Sequence, residues 1–255
     1  MKKLTFIFIT IIVLFFFPGC HKNDEISKAG TFYGKKTLLG DGFVRSFITL
    51  KKDGTPSSIG FNFSETMLNN LPSPKEGATG DENFMDTLDL PPEAAASGYE
   101  HMELDWDPHG HVPLPIYGFP HFDFHYYLVG ENKLINVVGG PDTQPVDPQY
   151  IPKDYVSGIM AVPHMGVHWH DSLSSEFHGT MFTNTLLYGF YHSQMLFLEQ
   201  MITKAYLETH ADISVPVKQP LSFQKPGYYP LSYQIHFDAT KKEYNVSLEI
   251  LSKHD

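Results

Sequence analysis

The segment Pro120-His121-Phe122-Asp123-Phe124-His125 constrains the fold of this 255-residue chain more than any other. Ligand-forming side chains stand at positions 121, 123 and 125, and phenylalanine stands between them. A period of two marks a β-strand, whose alternate residues share a face. The segment therefore predicts a strand with aromatic packing on one side and imidazole and carboxylate groups on the other. Gly166-Val167-His168-Trp169-His170 repeats the arrangement, with His168 and His170 on one face and Trp169 opposed.

Other short runs of β-forming residues surround these two. Phe43 to Leu50 and Ser58 to Phe63 flank the turn Lys51-Lys52-Asp53-Gly54 and predict a hairpin. Further strands are expected at 100–106, 157–160, 185–191, 195–198, 227–237 and 243–251. Leu198, Met201, Ile202, Ala205 and Tyr206 recur at i, i+3, i+4, i+7 and i+8, which predicts an amphipathic helix over 199–209 with Glu199 at its start. A short helix is expected over 64–70, capped by Ser64 and stopped by Leu71-Pro72. Short strands with turn signals and one longer helix give a mainly β (α+β) fold, an antiparallel β-sandwich or barrel-like domain.

The N-terminus bears on the compartment. Lys2 and Lys3 precede an apolar run from Leu4 to Phe17, followed by Pro18-Gly19-Cys20. That run falls short of the ~20 residues a membrane-spanning helix needs, so it reads as the apolar region of a signal peptide. Cys20 is the single cysteine and resembles the acylation site of a bacterial lipobox, although Phe17 and Pro18 depart from the usual residues there. Residues 1–19 are expected as a lipoprotein signal peptide, 20–30 as a tether and 31–255 as a single β-rich domain. A lipid anchor on Cys20 would hold the protein to a bacterial membrane in the cell envelope.

Composition excludes several functions. Lys and Arg number 18 against 29 Asp and Glu, a net charge of −11, and Arg45 is the single arginine. Nucleic-acid binding needs a basic footprint that is absent. One cysteine rules out intramolecular disulfides, and the lipobox reading leaves no thiol for catalysis. No nucleophile elbow surrounds Ser172, Ser174 or Ser175, and no HExxH helix or phosphate-cradling glycine loop appears. Asp105 and Asp107 are a pair of acids of the type glycoside hydrolysis uses, but their spacing along a strand fixes no separation in space.

Histidine is where chemistry concentrates. Ten of fourteen histidines lie between His101 and His192. Neutral imidazole is the commonest protein metal ligand. His121, His125 and His168 with Glu199 or His111 would satisfy zinc, or non-haem iron, which takes two histidines and a carboxylate. Asp123 would orient a ligating imidazole from behind. His109 flanks Gly110 on a loop, and His170 shares a strand face with His168. Histidines that only pack and hydrogen-bond inside an aromatic core are the plainer reading.

The order Pro108-His109-Gly110-His111-x-Pro113, His121-Phe-Asp-Phe-His125-Tyr-Tyr127, Met165-Gly-Val-His168-Trp169, Leu187-Tyr-Gly-Phe-Tyr191 and Met195-x-Phe-Leu-Glu199-x-Met-Ile-Thr203 resembles a bacterial domain family of unknown function. Asp53-Gly-x-Pro56 and Ile59-Gly60 are similar to it too. Its type member is a Thermus protein controlled by sigma factor E and its anti-sigma factor, and its members are commonly exported proteins or lipoproteins. The resemblance implicates His111, His121, Asp123, His125, His168 and Glu199. It matches His109 moderately, does not single out His170, and implies no reaction.

Three functions are thus expected, in this order. The first is an envelope lipoprotein of unassigned activity with a divalent-metal pocket. The second is a structural or interaction protein of the envelope, with a homo-oligomer among its forms. The third is a cupin-like metal-dependent enzyme acting on an unidentified small molecule.

Overall fold

The computed structural model describes residues 29–74 and 83–255. The expected signal peptide, Cys20 and the tether up to residue 28 lie outside them.

Among the described residues sixteen strands form two large antiparallel sheets and a small one. The chain begins in the first sheet with β1 (Gly30–Tyr33), β2 (Thr37–Leu39), β3 (Gly42–Leu50) and β4 (Pro56–Ser64). It then builds the whole second sheet from β5 (Phe84–Leu88), β6 (His101–Asp107), β7 (His121–Tyr127), β8 (Tyr155–Ser157), β9 (Val167–Asp171), β10 (Asn184–Tyr191) and β11 (Gln194–Thr203). It returns through β12 (Ile213–Pro216), β13 (Gly227–Tyr229), β14 (Ser232–Asp238), β15 (Glu243–Glu249) and β16 (Ser252–His254). The first sheet runs β1-β3-β4-β15-β14-β12, with β2 on β3, and the second runs β5-β6-β7-β11-β10-β9-β8. β13 and β16 pair separately.

The sheets pack face to face through the even-numbered aromatics that the alternating segment supplies. Phe61 on β4 meets Phe124 edge-on at 5.0 Å and Tyr126 at 5.3 Å, while Phe63 stacks on Phe124 and on Tyr244. Edge and offset arrangements of this kind suit the ring quadrupoles and add to the area term. The Tyr126 hydroxyl is shared between Gln200 Oε1 at 2.7 Å and the Val246 carbonyl at 3.1 Å, so a buried polar group ties one sheet to the other. The result is an open sandwich, and the barrel alternative falls.

The second sheet is unusual in being covered on its other face as well. Among the described residues three short α-helices, α1 (Leu114–Tyr117), α2 (Glu131–Leu134) and α3 (Lys204–Leu207), belong to or follow its connections. Tyr117 and Phe182 close over Leu187 and Met201, and Val129, Leu134 and Val137 close over Tyr127 and Phe197. β6 and β7 are consequently buried at every residue. Among the described residues no helix is long and apolar enough to cross a membrane.

The helix expected over 199–209 is corrected. Residues 194–203 are strand β11, and the helix is confined to Lys204–Leu207, capped by Thr203, whose side chain accepts from the Tyr206 amide. A strand buried on both faces carries a nearly continuous apolar run, and such a run also satisfies the i, i+3, i+4 template. Glu199 is therefore mid-strand, away from any helix dipole. The short helix expected over 64–70 is a 3-10 helix at Glu65–Leu68, and Ser64 makes no side-chain cap.

Candidate metal centres

The register of the second sheet assembles the site. β6 and β7 pair Asp107 with His121, Asp105 with Asp123, Glu103 with His125 and His101 with Tyr127. β11 adds Glu199 opposite His125. All these side chains rise from the face turned away from the sandwich core, beneath the covering loops. The carboxyl-bearing residues Glu103, Asp105, Asp107, Asp123 and Glu199 are each no more than 5% exposed. The ion-pair contacts of Glu103, Asp105, Asp123 and Glu199 are all with histidine. Buried carboxylates without lysine or arginine are costly unless a cation or proton compensates them.

Two groups of three converge closely enough to hold an ion, His125–His168–Glu199 and His111–His121–Asp123, with the ligand atoms of each within 4.8 Å of one another. In the first, Glu199 Oε2 lies 3.2 Å from His168 Nε2 and 3.6 Å from His125 Nε2. His125 Nε2 and Glu199 Oε2 are buried and have no hydrogen-bond partner. Behind the imidazole, Asp105 Oδ2 approaches His125 Nδ1 at 3.3 Å, and Asp105 Oδ1 accepts from the Asn83 amide at 3.3 Å. Asp105 thus stands where the carboxylate that orients a metal-bound histidine stands, although Asp105 Oδ2 and His125 Nδ1 do not complete a hydrogen bond.

His168 reaches Glu199 from two strands away, across β10. The residue of β10 opposite His168 is Gly189. A Cβ there would come within 2.1 Å of the Phe197 ring, which instead lies against both His125 (5.0 Å between centroids) and His168 (5.2 Å). The glycine thus admits the aromatic wall of the centre.

In the second group the His111 and His121 Nε2 atoms lie 3.4 and 3.2 Å from the two oxygens of Asp123. His111 arrives on the loop after β6, where Gly110 adopts φ +68° and a Cβ would strike the Tyr117 carbonyl. The His111 amide donates to that same carbonyl at 3.2 Å, folding the loop back over β7. The His121 Nδ1–H donates to the Phe119 carbonyl at 2.7 Å and the His111 Nδ1–H to the Val112 carbonyl at 2.9 Å.

Without a cation, protons balance these charges. Burial disfavours the charged form of His125, but Glu199 and Asp105 outweigh it and raise its pKa to about 10. His111 is likewise pushed down by burial and lifted further by Asp123, to about 10. Burial would raise Asp123, yet His121 and His111 hold it well below the usual carboxylate range. Burial, then the charge of Asp123, raises Asp107 to about 8. Burial also raises Asp105, with His125 opposing.

The histidines expected in one pocket divide between the two groups, with His121 in one triad and His125 and His168 in its neighbour. Asp123 stands among the candidate ligands rather than behind one. His109 is exposed on its loop and belongs to neither triad. His170 stacks on Phe177 at 4.9 Å and also stays outside. Asp105, Asp107, Glu103 and His101 were not singled out as site residues. Their signal was present in His101-Met-Glu-Leu-Asp-Trp-Asp107, which alternates with the same period as β7.

Residues 52–106 match the model of a family described as TTHB210-like, Hypothetical protein TTHB210. The matched stretch runs from the turn before β4 to Trp106 near the end of β6. It is consistent with the Thermus-typified family of unknown function that the motifs resemble, and Asp105 falls within it. The residues of both triads lie beyond it. No curated protein and no solved structure matches the chain.

Proposed function

We propose that this protein is an exported, lipid-anchored β-sandwich protein that binds a divalent transition-metal ion through His125, His168 and Glu199, with Asp105 holding His125 in place. One observation carries the reading. Two imidazole nitrogens and a carboxylate oxygen converge within 4.8 Å, and His125 Nε2 and Glu199 Oε2 are buried without a hydrogen-bond partner. Two histidines and a carboxylate suit zinc first and iron(II) second. Ligand atoms of a tetrahedral zinc site lie roughly 3.3 Å apart, given bonds of ~2.0 Å. The 3.2 and 3.6 Å separations around Glu199 Oε2 fit that edge. The anchor rests on Lys2, Lys3, the apolar run and Cys20, and the envelope location follows from it.

A structural envelope protein without metal is the rival, favoured by the close ring packing of this face, where His101 stacks on Tyr127 at 4.6 Å. Elemental analysis of tag-free protein purified without chelator separates the two. Bound zinc or iron that is lost in Glu199→Gln supports the centre. Metal-free protein that neither takes up added metal nor gains thermal stability from it would overturn the proposal.

A further inference from the structure

We infer that His111, His121 and Asp123 form a second, separate divalent-cation site whose fourth position opens to solvent. It shares no ligand with the first triad. Asp123 and His125 are two residues apart on β7, a spacing of about 7 Å along a strand.

The hydrogen bonds of the two imidazoles carry the inference. Each Nδ1 donates its proton to a backbone carbonyl, which can only accept. Once a cation displaces any second ring proton, these bonds hold the tautomer in which both Nε2 atoms present lone pairs toward Asp123. The carboxylate presents only lone pairs in return. Four acceptors then face one another, an arrangement that a cation resolves. Without the ion, a second proton on each ring takes its place, and for His121 the alignment is poor. His121 Nε2 and Asp123 Oδ1 are buried, 3.2 Å apart, and neither has a hydrogen-bond partner. The 3.2 and 3.4 Å nitrogen–oxygen separations again match a tetrahedral edge of roughly 3.3 Å.

Exposure sets the character of the site. The His121 side chain is sealed, whereas that of His111 is 29% exposed. Solvent reaches the ion along the His111 edge, so water or a small anion occupies the fourth position there. Asp107, directly opposite His121, leaves Oδ2 buried and unpartnered beside the site.

The test is a metal count on the full mature protein, stripped with chelator, titrated with Zn2+ and desalted, with cobalt(II) absorption as an independent report of coordination. Wild type is expected to retain two equivalents, and His111→Ala and Glu199→Gln one each. His111 lies on a half-exposed loop, so its variant should keep the wild-type fold by circular dichroism. One equivalent in wild type that survives in His111→Ala but not in Glu199→Gln overturns the second site and leaves the first standing. One equivalent lost in His111→Ala but kept in Glu199→Gln supports the second site and overturns the function proposed above. No retained metal overturns both.

Discussion

Asp105 Oδ2 stands 3.3 Å from His125 Nδ1, on the opposite side of the ring from Glu199. The imidazole thus lies between two carboxylates from neighbouring strands, one facing each nitrogen without a completed hydrogen bond. Asp105→Asn keeps the shape and removes the charge that would strengthen His125 as a ligand in the proposed centre. Metal affinity at this centre should fall about 10–100-fold while the fold is retained. Chelator-competition titration measures this, and unchanged affinity would show that Asp105 does not serve the centre.

Gly189 offers a steric test of the same centre. Gly189→Ala drives a methyl group into the Phe197 ring, where ideal placement leaves 2.1 Å. Overpacking of this kind costs about 1–3 kcal/mol. The displaced ring lies against His125 and His168, so the metal-dependent gain in thermal stability should shrink along with the metal-free melting temperature. A variant with wild-type melting behaviour in both states would contradict the packing.

Proton linkage gives a sign. Metal-free His111 and His125 hold protons up to about pH 10, and ligation requires neutral imidazole. Cation binding must expel those protons. Apparent affinity should therefore rise with pH between about 6 and 9, by up to ~10-fold per unit for each proton released. Calorimetry in buffers of different ionisation enthalpy counts the protons, and an affinity that is flat across this range would exclude the imidazoles as ligands.

Tyr126 supplies the control. Tyr126→Phe removes the hydroxyl shared by Gln200 and Val246 between the sheets. Stability should drop by about 1–3 kcal/mol, because the buried partners are left unsatisfied. Metal stoichiometry should stay as in wild type, since the ring points into the sandwich and away from both triads.

The anchor is tested separately. Cys20→Ser should abolish incorporation of labelled palmitate and move the protein from the detergent phase to the aqueous phase. Mass spectrometry of the mature wild-type chain should find acylated Cys20 as residue one. An unmodified Cys20 would refute the anchor without touching the metal centres.

Much of this organisation was legible in the sequence because β-strands write their faces in alternation. His121, Asp123 and His125 share a face as their spacing requires, and Phe122 and Phe124 turn to the other. The partition into two triads was not legible. It depends on strand order, which brings β11 beside β7 and leaves β9 beyond β10, and alternation says nothing about neighbours. The misread helix has a related cause. Leu198, Met201 and Ile202 are apolar because β11 is covered on both faces, and double burial erases the alternation that would have marked a strand. Asp105 reads in the sequence only as one of a pair of acids with Asp107, since its place beside His125 needs the cross-strand approach.

The two triads also differ in how far the chain must travel to make them. His111, His121 and Asp123 come from one loop and the strand that follows it, so this group closes a short stretch of chain. His125, His168 and Glu199 come from β7, β9 and β11, and they meet only once those strands have found their order. Joining distant segments removes more freedom from the unfolded chain than joining near ones. An ion in the distant triad would act as a clasp on the finished sheet. One in the local triad would be available to a chain still folding, before the sheet has closed.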